Sequence, residues 1–348
     1  MAESISPMNG GSGTYSYARN STWQRKGALI VEDAIKEAVM ESLDLPKVLC
    51  DSNNTFVVAD LGCSVGPNTF YAMDTIIEAV QRKCNNNSSL EFQVAFNDRI
   101  GNDFNTLFAS LPEHGRNRNY FAAAVPGSFY GRLFPSSSIQ IAYSSASLNW
   151  LSKVPEGLTV EGSPVWNAAK IHYSGAPDAV ARAYEDQLEE DMEVFFRCRA
   201  REIAARGLML FNMAVVPSRD VQHRMASMFT FIESILIDMV NEGVLAQERV
   251  DSFNIPIVFP CVDQVRRLIE KNKCFEIVKM EKVEIAGKRD SKISVMHIRA
   301  GLEGTLSHHF GSETVEQIFE RAIQQQHNLK FNQIDISSTG IFVVLRRN

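Results

Sequence analysis

The chain has 348 residues, 45% of them hydrophobic and 22% charged, with a formal net charge of −6. This is ordinary composition for one or two globular domains, and the acidic balance argues against nucleic-acid or anionic-membrane partners, which want a basic face. No run reaches the roughly 20 apolar residues of a spanning helix, and the opening MAESISPMNGGSG lacks the regions of a secretory signal, so a cytoplasmic protein is expected.

Along the chain, residues 55–60 (Thr-Phe-Val-Val-Ala-Asp) form a continuous β-branched run, the pattern of a strand buried on both faces. A turn follows at 61–66, and residues 67–80 read as a helix with Pro67 in its first turn. A second strand at 91–96 ends in Asn97-Asp98, and a short helix is expected at 102–111. The third strand, 120–125, runs into the loop Pro-Gly-Ser-Phe-Tyr-Gly-Arg-Leu-Phe-Pro at 126–135. The fourth, 138–143, runs into a Ser-rich turn that reaches Leu151. Helical, charge-rich spacing covers 178–206, with Gly207 placed for a C-terminal cap and a fifth strand at 208–216. Past residue 217 the texture turns Met- and Phe-rich, and 225–240, 291–310 and 314–327 read as helices lying over the sheet. Strands alternating with helices, each ending in a polar Gly- or Ser-bearing loop, predict an α/β sheet with its ligands outside the carboxyl ends. The six cysteines (Cys50, Cys63, Cys84, Cys198, Cys261, Cys274) show no C-x-x-C pair and read as free thiols.

The turn Asp60-Leu-Gly62-Cys-Ser64-Val-Gly66 supports two chemistries. As a glycine turn between strand and helix it suits a nucleotide, with Asp98 at the end of the next strand accepting ribose hydroxyls. Read literally, Gly62-Cys-Ser64-Val-Gly66 also matches the nucleophile elbow of a serine esterase, with Ser64 as nucleophile and a downstream histidine as base. Position favours the nucleotide, because an elbow normally follows several earlier strands.

Longer motifs carry a resemblance. Met8-Asn-Gly-Gly, Ser16-Tyr-Ala-Arg-Asn-Ser, Gln24, Asp60-Leu-Gly-Cys-Ser-Val-Gly-Pro-Asn-Thr, Asn102-Asp-Phe-Asn and the 126–135 loop occur in order. Ser147-Leu-Asn-Trp-Leu-Ser-Lys-Val-Pro, Asp251-Ser-Phe-Asn-Ile-Pro and Val343-Val-Leu-Arg follow, so the matches span nearly the whole chain. The sequence resembles the plant SABATH family of S-adenosylmethionine-dependent carboxyl methyltransferases. The resemblance implies a Rossmann-like class I methyltransferase sheet with an α-helical cap: a core of residues 1–216, 263–289 and 336–348, capped by 217–262 and 290–335. It implies a homodimer, a small-molecule carboxylic acid as partner, and S-adenosylmethionine held by Tyr17, Ser21, Asp60, Asn68, Asp98, Ser128, Phe129, Ser144 and Ser145.

The same resemblance makes Gln24 and Trp150 the grip on the acceptor carboxylate. Both are donors, and a carboxylate is already ionised at neutral pH, so no general base is required. Asn9 replaces the lysine of salicylate-type members, as in the caffeine-pathway N-methyltransferases of the family, which keeps N-methylation of a purine-type heterocycle open as an alternative. In the pocket wall Ala146, Asn149, Phe229 and Gly301 stand where salicylate-type members have Tyr, Met, Trp and Val, with Met228 and Ile298 completing it. The substitutions predict an acceptor larger than salicylate and give Asn149 as a polar partner for it. Asn167, Asp251, Phe253 and Asn254 resemble a magnesium site of some members; a buried helix cap would use the same residues, and both readings stand.

Overall fold

Seven strands form one sheet: β1 (Thr55–Leu61), β2 (Glu91–Asp98), β3 (Phe121–Pro126), β4 (Ile139–Ser145), β5 (Ile203–Ala214), β6 (Phe275–Ile285) and β7 (Ser338–Arg347), in the order β3-β2-β1-β4-β5-β7-β6. The first five run parallel, and β7 lies antiparallel between β5 and β6. This is the Rossmann-like α/β sheet expected. The computed structural model describes residues 7–49, 54–85, 89–113, 115, 118–218, 221, 223–285, 290–329 and 338–348. Cys50 and the parts of the expected core and cap at 1–6, 51–53, 86–88, 114, 116–117, 219–220, 222, 286–289 and 330–337 lie outside them; the five described cysteines are free thiols.

Helices α1 (Tyr17–Asn20), α2 (Thr22–Ile30), α3 (Glu32–Ser42) and α4 (Leu45–Val48) precede the sheet. Then come α5 (Asn68–Lys83), α6 (Phe104–Ala109), α7 (Asp178–Glu202), α8 (Arg224–Asn241), α9 (Gln247–Asp251), α10 (Val262–Asn272), α11 (Ser291–Phe310) and α12 (Ser312–Gln324). Strand alternation sorts the core. Val58, Val94 and Ile141 pack with α3 and α5 on one face. Ala59, Ala95 and Ala142, which are register partners across β2, β1 and β4, join α7 and α10 on the other. That row of methyl groups leaves room for Phe195 and Phe196 of α7, both fully buried in the same cluster. A third apolar cluster joins α8, α9, α11 and α12.

Two local expectations fail for physical reasons. Gly207 does not cap a helix: α7 ends at Glu202 and the chain enters β5 at once. There the ladder slips between Ile139 and Ile141, Arg206 takes φ 65°, and a Cβ on Gly207 would lie 2.7 Å from the Gln140 carbonyl oxygen. The glycine serves a strand irregularity. Strand β6 is not legible as an element because it is a charge-bearing edge strand without an apolar run, whereas β7 carries the buried run 341–345, noted only as a motif.

The segment ahead of α1 is tied down at both ends of the site. The Asn9 N–H donates to the Ala300 carbonyl on α11 at 2.9 Å, and the Gly11 N–H donates to Asp103 Oδ2 at 2.8 Å, beside α6. Asn9 also donates through Nδ2 to Glu303, which is paired with Arg299.

Candidate active site

The carboxyl end of β1 turns sharply because Gly62 sits at φ 88°, where a Cβ would fall 2.1 Å from Ser147 Oγ. The Gly62 and Cys63 N–H groups donate to the Asn97 carbonyl at 2.8 and 3.0 Å. The Asn97 side chain in turn holds the Val125 and Gly127 carbonyls at 2.7 and 2.9 Å. Next to it, Asp98 accepts from the Ser64 N–H at 2.7 Å and from the Arg99 N–H at 2.8 Å. Asp60 is buried and accepts from the Thr69 hydroxyl.

Burial pushes the Asp60 carboxyl up to about 7, with Thr69 pulling down and the Asp98 charge adding to the rise. Burial also raises Asp98 against the pull of its two backbone donors. The Tyr17 hydroxyl is raised by burial, then by Asp98 and Asp60, so it faces both acids. Two carboxylates held out of water prepare the site for a cation that also carries hydroxyls to bond.

The loop after β3 brings Ser128 and Phe129 to the same place. Arg199 and Glu202 of α7, both 0% exposed, form an ion pair at 2.6 Å. Arg199 donates to the Phe129 and Gly131 carbonyls at 2.9 and 2.8 Å. Glu202 accepts from the Leu133 and Phe134 N–H groups at 2.7 and 3.2 Å. The pair spends its hydrogen-bonding capacity on one loop, which fixes where Phe129 stands.

Between this edge of the sheet and the helices lies a cavity of about 170 Å³. Its sheet side carries Tyr17, Ser64, Asp98, Ser128, Phe129 and Ser145. Its far side carries Met8, Ala146, Met225, Phe229, Phe259, Ile298, Gly301 and Leu302. Gln24, Trp150 and His297 also border it. A smaller adjoining cavity shares Tyr17, Gln24 and Ser145 with it and adds Asp60, Asn68 and Thr69. Among the described residues no protein group accepts the Trp150 indole N–H, so that donor is available to a ligand.

A family model described as SAM-dependent carboxyl methyltransferase matches residues 3–348. The chain belongs to that family. The loganic acid O-methyltransferase of Catharanthus roseus is 38% identical over 98% of this chain and 94% of its own length. The farnesoic acid carboxyl-O-methyltransferase of Arabidopsis thaliana is 37% identical over 98% of each. A solved loganic acid methyltransferase with SAH superposes with a TM-score of 0.92, covering 98% of this chain and 99% of the other at 38% identity. The sheet is thus a class I methyltransferase-like fold, and the enzyme is an S-adenosylmethionine-dependent O-methyltransferase acting on carboxylates.

The carboxyl methyltransferase brings fourteen of the expected site residues to the two cavities and leaves others elsewhere. Ser21 stands one layer back, with its hydroxyl and carbonyl oxygens accepting from Asn68 Nδ2 at 3.0 and 3.2 Å. Ser144 is buried within β4 and donates to the Leu61 carbonyl at 3.0 Å, so its hydroxyl braces β1. Met228 is fully buried in the helical cluster; Met225, nearly one turn earlier and in line with Phe229, is the methionine at the cavity. Asn9 lies behind Met8, tied to α11.

Asn149 corrects the expectation most sharply. Its Nδ2 donates to the Ala214 and Val258 carbonyls at 2.8 and 2.7 Å, and its Oδ1 accepts from the Ala214 N–H at 2.9 Å. It borders the cavity with its polar atoms already committed to backbone. Ser64 corrects the esterase alternative. Its Oγ is buried without a hydrogen-bond partner among the described residues, so no histidine activates it, and its backbone serves Asp98 and Asn102.

Of the four residues compared to a magnesium site, only Asn167 and Asn254 bond each other. Asn167 Nδ2 donates to Asn254 Oδ1 at 2.6 Å, and Asp251 Oδ1 accepts from the Ala169 N–H and Gln247 Nε2, each at 2.7 Å. Phe253 is buried between His309 and Phe310. Asn167 Oδ1 and Asn254 Nδ2 are buried without a hydrogen-bond partner among the described residues, so one amide oxygen remains as a donor of the kind a hard cation takes, beside a carboxylate already bonded twice.

His297, Leu302, Met225 and Phe259 border the cavity without having been singled out from the sequence. Helical spacing held the signal for the first two: 297 and 301, and 298 and 302, are i, i+4 pairs beside the Ile298 and Gly301 already chosen.

Proposed function

We propose that the enzyme forms the methyl ester of a small carboxylic acid larger than salicylate, with Gln24 and Trp150 gripping the carboxylate. One observation carries the reading: the indole N–H of Trp150 and the amide of Gln24 border the same cavity as Asp98, Ser128 and Phe129. When bound, S-adenosylmethionine supplies an electrophilic methyl on a cationic sulfur. The buried acids and the aromatic loop fit such a molecule. Asp98 takes the ribose hydroxyls, Phe129 stacks on the adenine, and Asp60, Tyr17 and Asn68 meet the amino-acid end. Ser145 and Ser128 border the nucleoside, while Ser21 and Ser144 hold Asn68 and β1 behind it.

Trp150 and Gln24 donate to the acid, which keeps it ionised and aims one oxygen at the donor side of the cavity. The apolar wall from Phe229, Ile298 and their neighbours holds the carbon body and excludes water, where the charges attract more strongly. No residue has to accept a proton, in keeping with the absence of a catalytic dyad among the site residues. Ala146 and Gly301 leave the width that a larger acid needs.

The helical layer from 217–262 and 290–335 acts in this reading as the cap over the acceptor. Magnesium has no step in it, since methyl transfer to an ionised carboxylate needs no Lewis acid. On the resemblance alone, the reading extends to a homodimer in the cytosol, and sedimentation velocity tests the first. No helix among the described residues is long and apolar enough to cross a membrane.

The deciding experiment gives the enzyme methyl-labelled donor and a panel of plant acids and xanthines. Labelled ester from acids with bulky carbon bodies is expected. Label on xanthine nitrogens, with none on any acid, would overturn the reading.

A further inference from the structure

The two ends of the Gln24 amide differ in only one contact among the described residues. Oε1 is buried without a partner, and Nε2 lies 3.4 Å from His297 Nε2. His297, buried on α11, places its other ring nitrogen, Nδ1, 3.0 Å from the Asn20 carbonyl oxygen. A carbonyl oxygen only accepts, so Nδ1 carries the ring proton. A neutral ring then carries no proton on Nε2, the atom that faces the Gln24 amide and can accept one of its N–H groups.

We propose that His297 is a positioning residue that sets which way round the Gln24 amide sits, so that its second N–H, and not its oxygen, meets the acceptor carboxylate. The proposal rests on the carboxylate reading of Gln24. An amide turned by half a rotation fills the same space but presents oxygen to an anion. With no described residue bonded to Oε1, the histidine is what separates the two orientations. The order of parts is Asn20 carbonyl, imidazole, amide, acid. It links the end of α1 to the acceptor through a ring that cannot reverse its own polarity without losing the Asn20 bond.

Two substitutions separate this role from simple helix packing. Asn at 297 can still donate to the Asn20 carbonyl from the δ position but lacks the ε acceptor; Gln at 297 restores an acceptor near the ε position and loses the δ donor. His297→Asn should lower kcat/KM for the acid about tenfold, with SAH affinity unchanged within about twofold. His297→Gln should recover most of that loss, and adding Gln24→Ala to His297→Asn should cost little more. A packing role predicts the reverse order, with His297→Asn behaving as wild type, and that result would overturn the proposal. Nitrogen-15 NMR of the wild-type imidazole with SAH bound reads the tautomer without any turnover. A proton on Nε2 would sink the proposal even if the variants failed to fold. If the wild type forms no ester, the carboxylate reading fails separately, and the tautomer still decides the amide's orientation.

Discussion

On the sheet side of the cavity a network of built hydrogen bonds holds the turns: Asn97 clasps two of them, Asp98 takes two backbone donors, and the Arg199–Glu202 pair anchors the Phe129 loop. On the helical side the described lining is mostly apolar, and the Asn149 amide there is spent on backbone. The first side is rigid and fitted to one molecule. The second is a wall of side chains whose bulk can be exchanged without touching a hydrogen bond. A fold that must keep its methyl donor while changing its acceptor gains from that division.

The comparison breaks at its strongest point if Asp98→Ala still binds SAH. Loss of a charged acceptor for two hydroxyls should weaken binding about 100-fold by calorimetry, and a change of less than a few-fold would remove the polar side from donor recognition. Trp150→Phe keeps an aromatic ring, though a smaller one, and deletes the N–H, so kcat/KM for the acid should fall about 30-fold while SAH affinity holds. Ala146→Tyr with Gly301→Val should shift the preference from bulky acids toward benzoic acids about tenfold in kcat/KM ratio. A Cβ at 301 sits 3.6 Å from Met8 Sδ, so the added methyl groups grow into the cavity wall. An unchanged ratio would mean that width does not set the acceptor.

Acidity sharpens the comparison with a smaller effect. Asp60 titrates at about 7 in the ligand-free fold against an ordinary 3.8, so the folded state holds its proton longer than the unfolded chain does. Its stabilising contribution is present below the ordinary value and is lost as pH climbs to about 7. The α-ammonium at the amino-acid end of SAH favours the ionised acid, so SAH affinity should strengthen with rising pH through that window. Asp60→Asn should flatten this dependence in titration calorimetry. The smallest effect on turnover belongs to Asn149→Ala: the acid preference should stay within about twofold, while three orphaned backbone groups lower Tm.

What the sequence disclosed follows from how local each signal is. The five parallel strands announce themselves as apolar runs, and Gly62 and Asp98 mark the carboxyl ends of two neighbours. The charged edge strand β6 carries no such run. Asn149 was misjudged because its partners, Ala214 and Val258, lie 65 and 109 residues away. Sequence cannot show that an amide is already occupied. Ser144 and Ser145 alternate along one strand, and only the register decides which hydroxyl reaches the cavity. Met225 and Met228 differ by less than a turn of α8, yet one meets the ligand space and the other the helical core.

The knot that binds residues 9–11 to both α11 and the start of α6 turns the amino terminus into a latch. A protease nick between Gly11 and Tyr15 would spare the sheet and its core. It would release Met8 from the cavity wall, leaving an enzyme that still loads its donor and no longer chooses among acids.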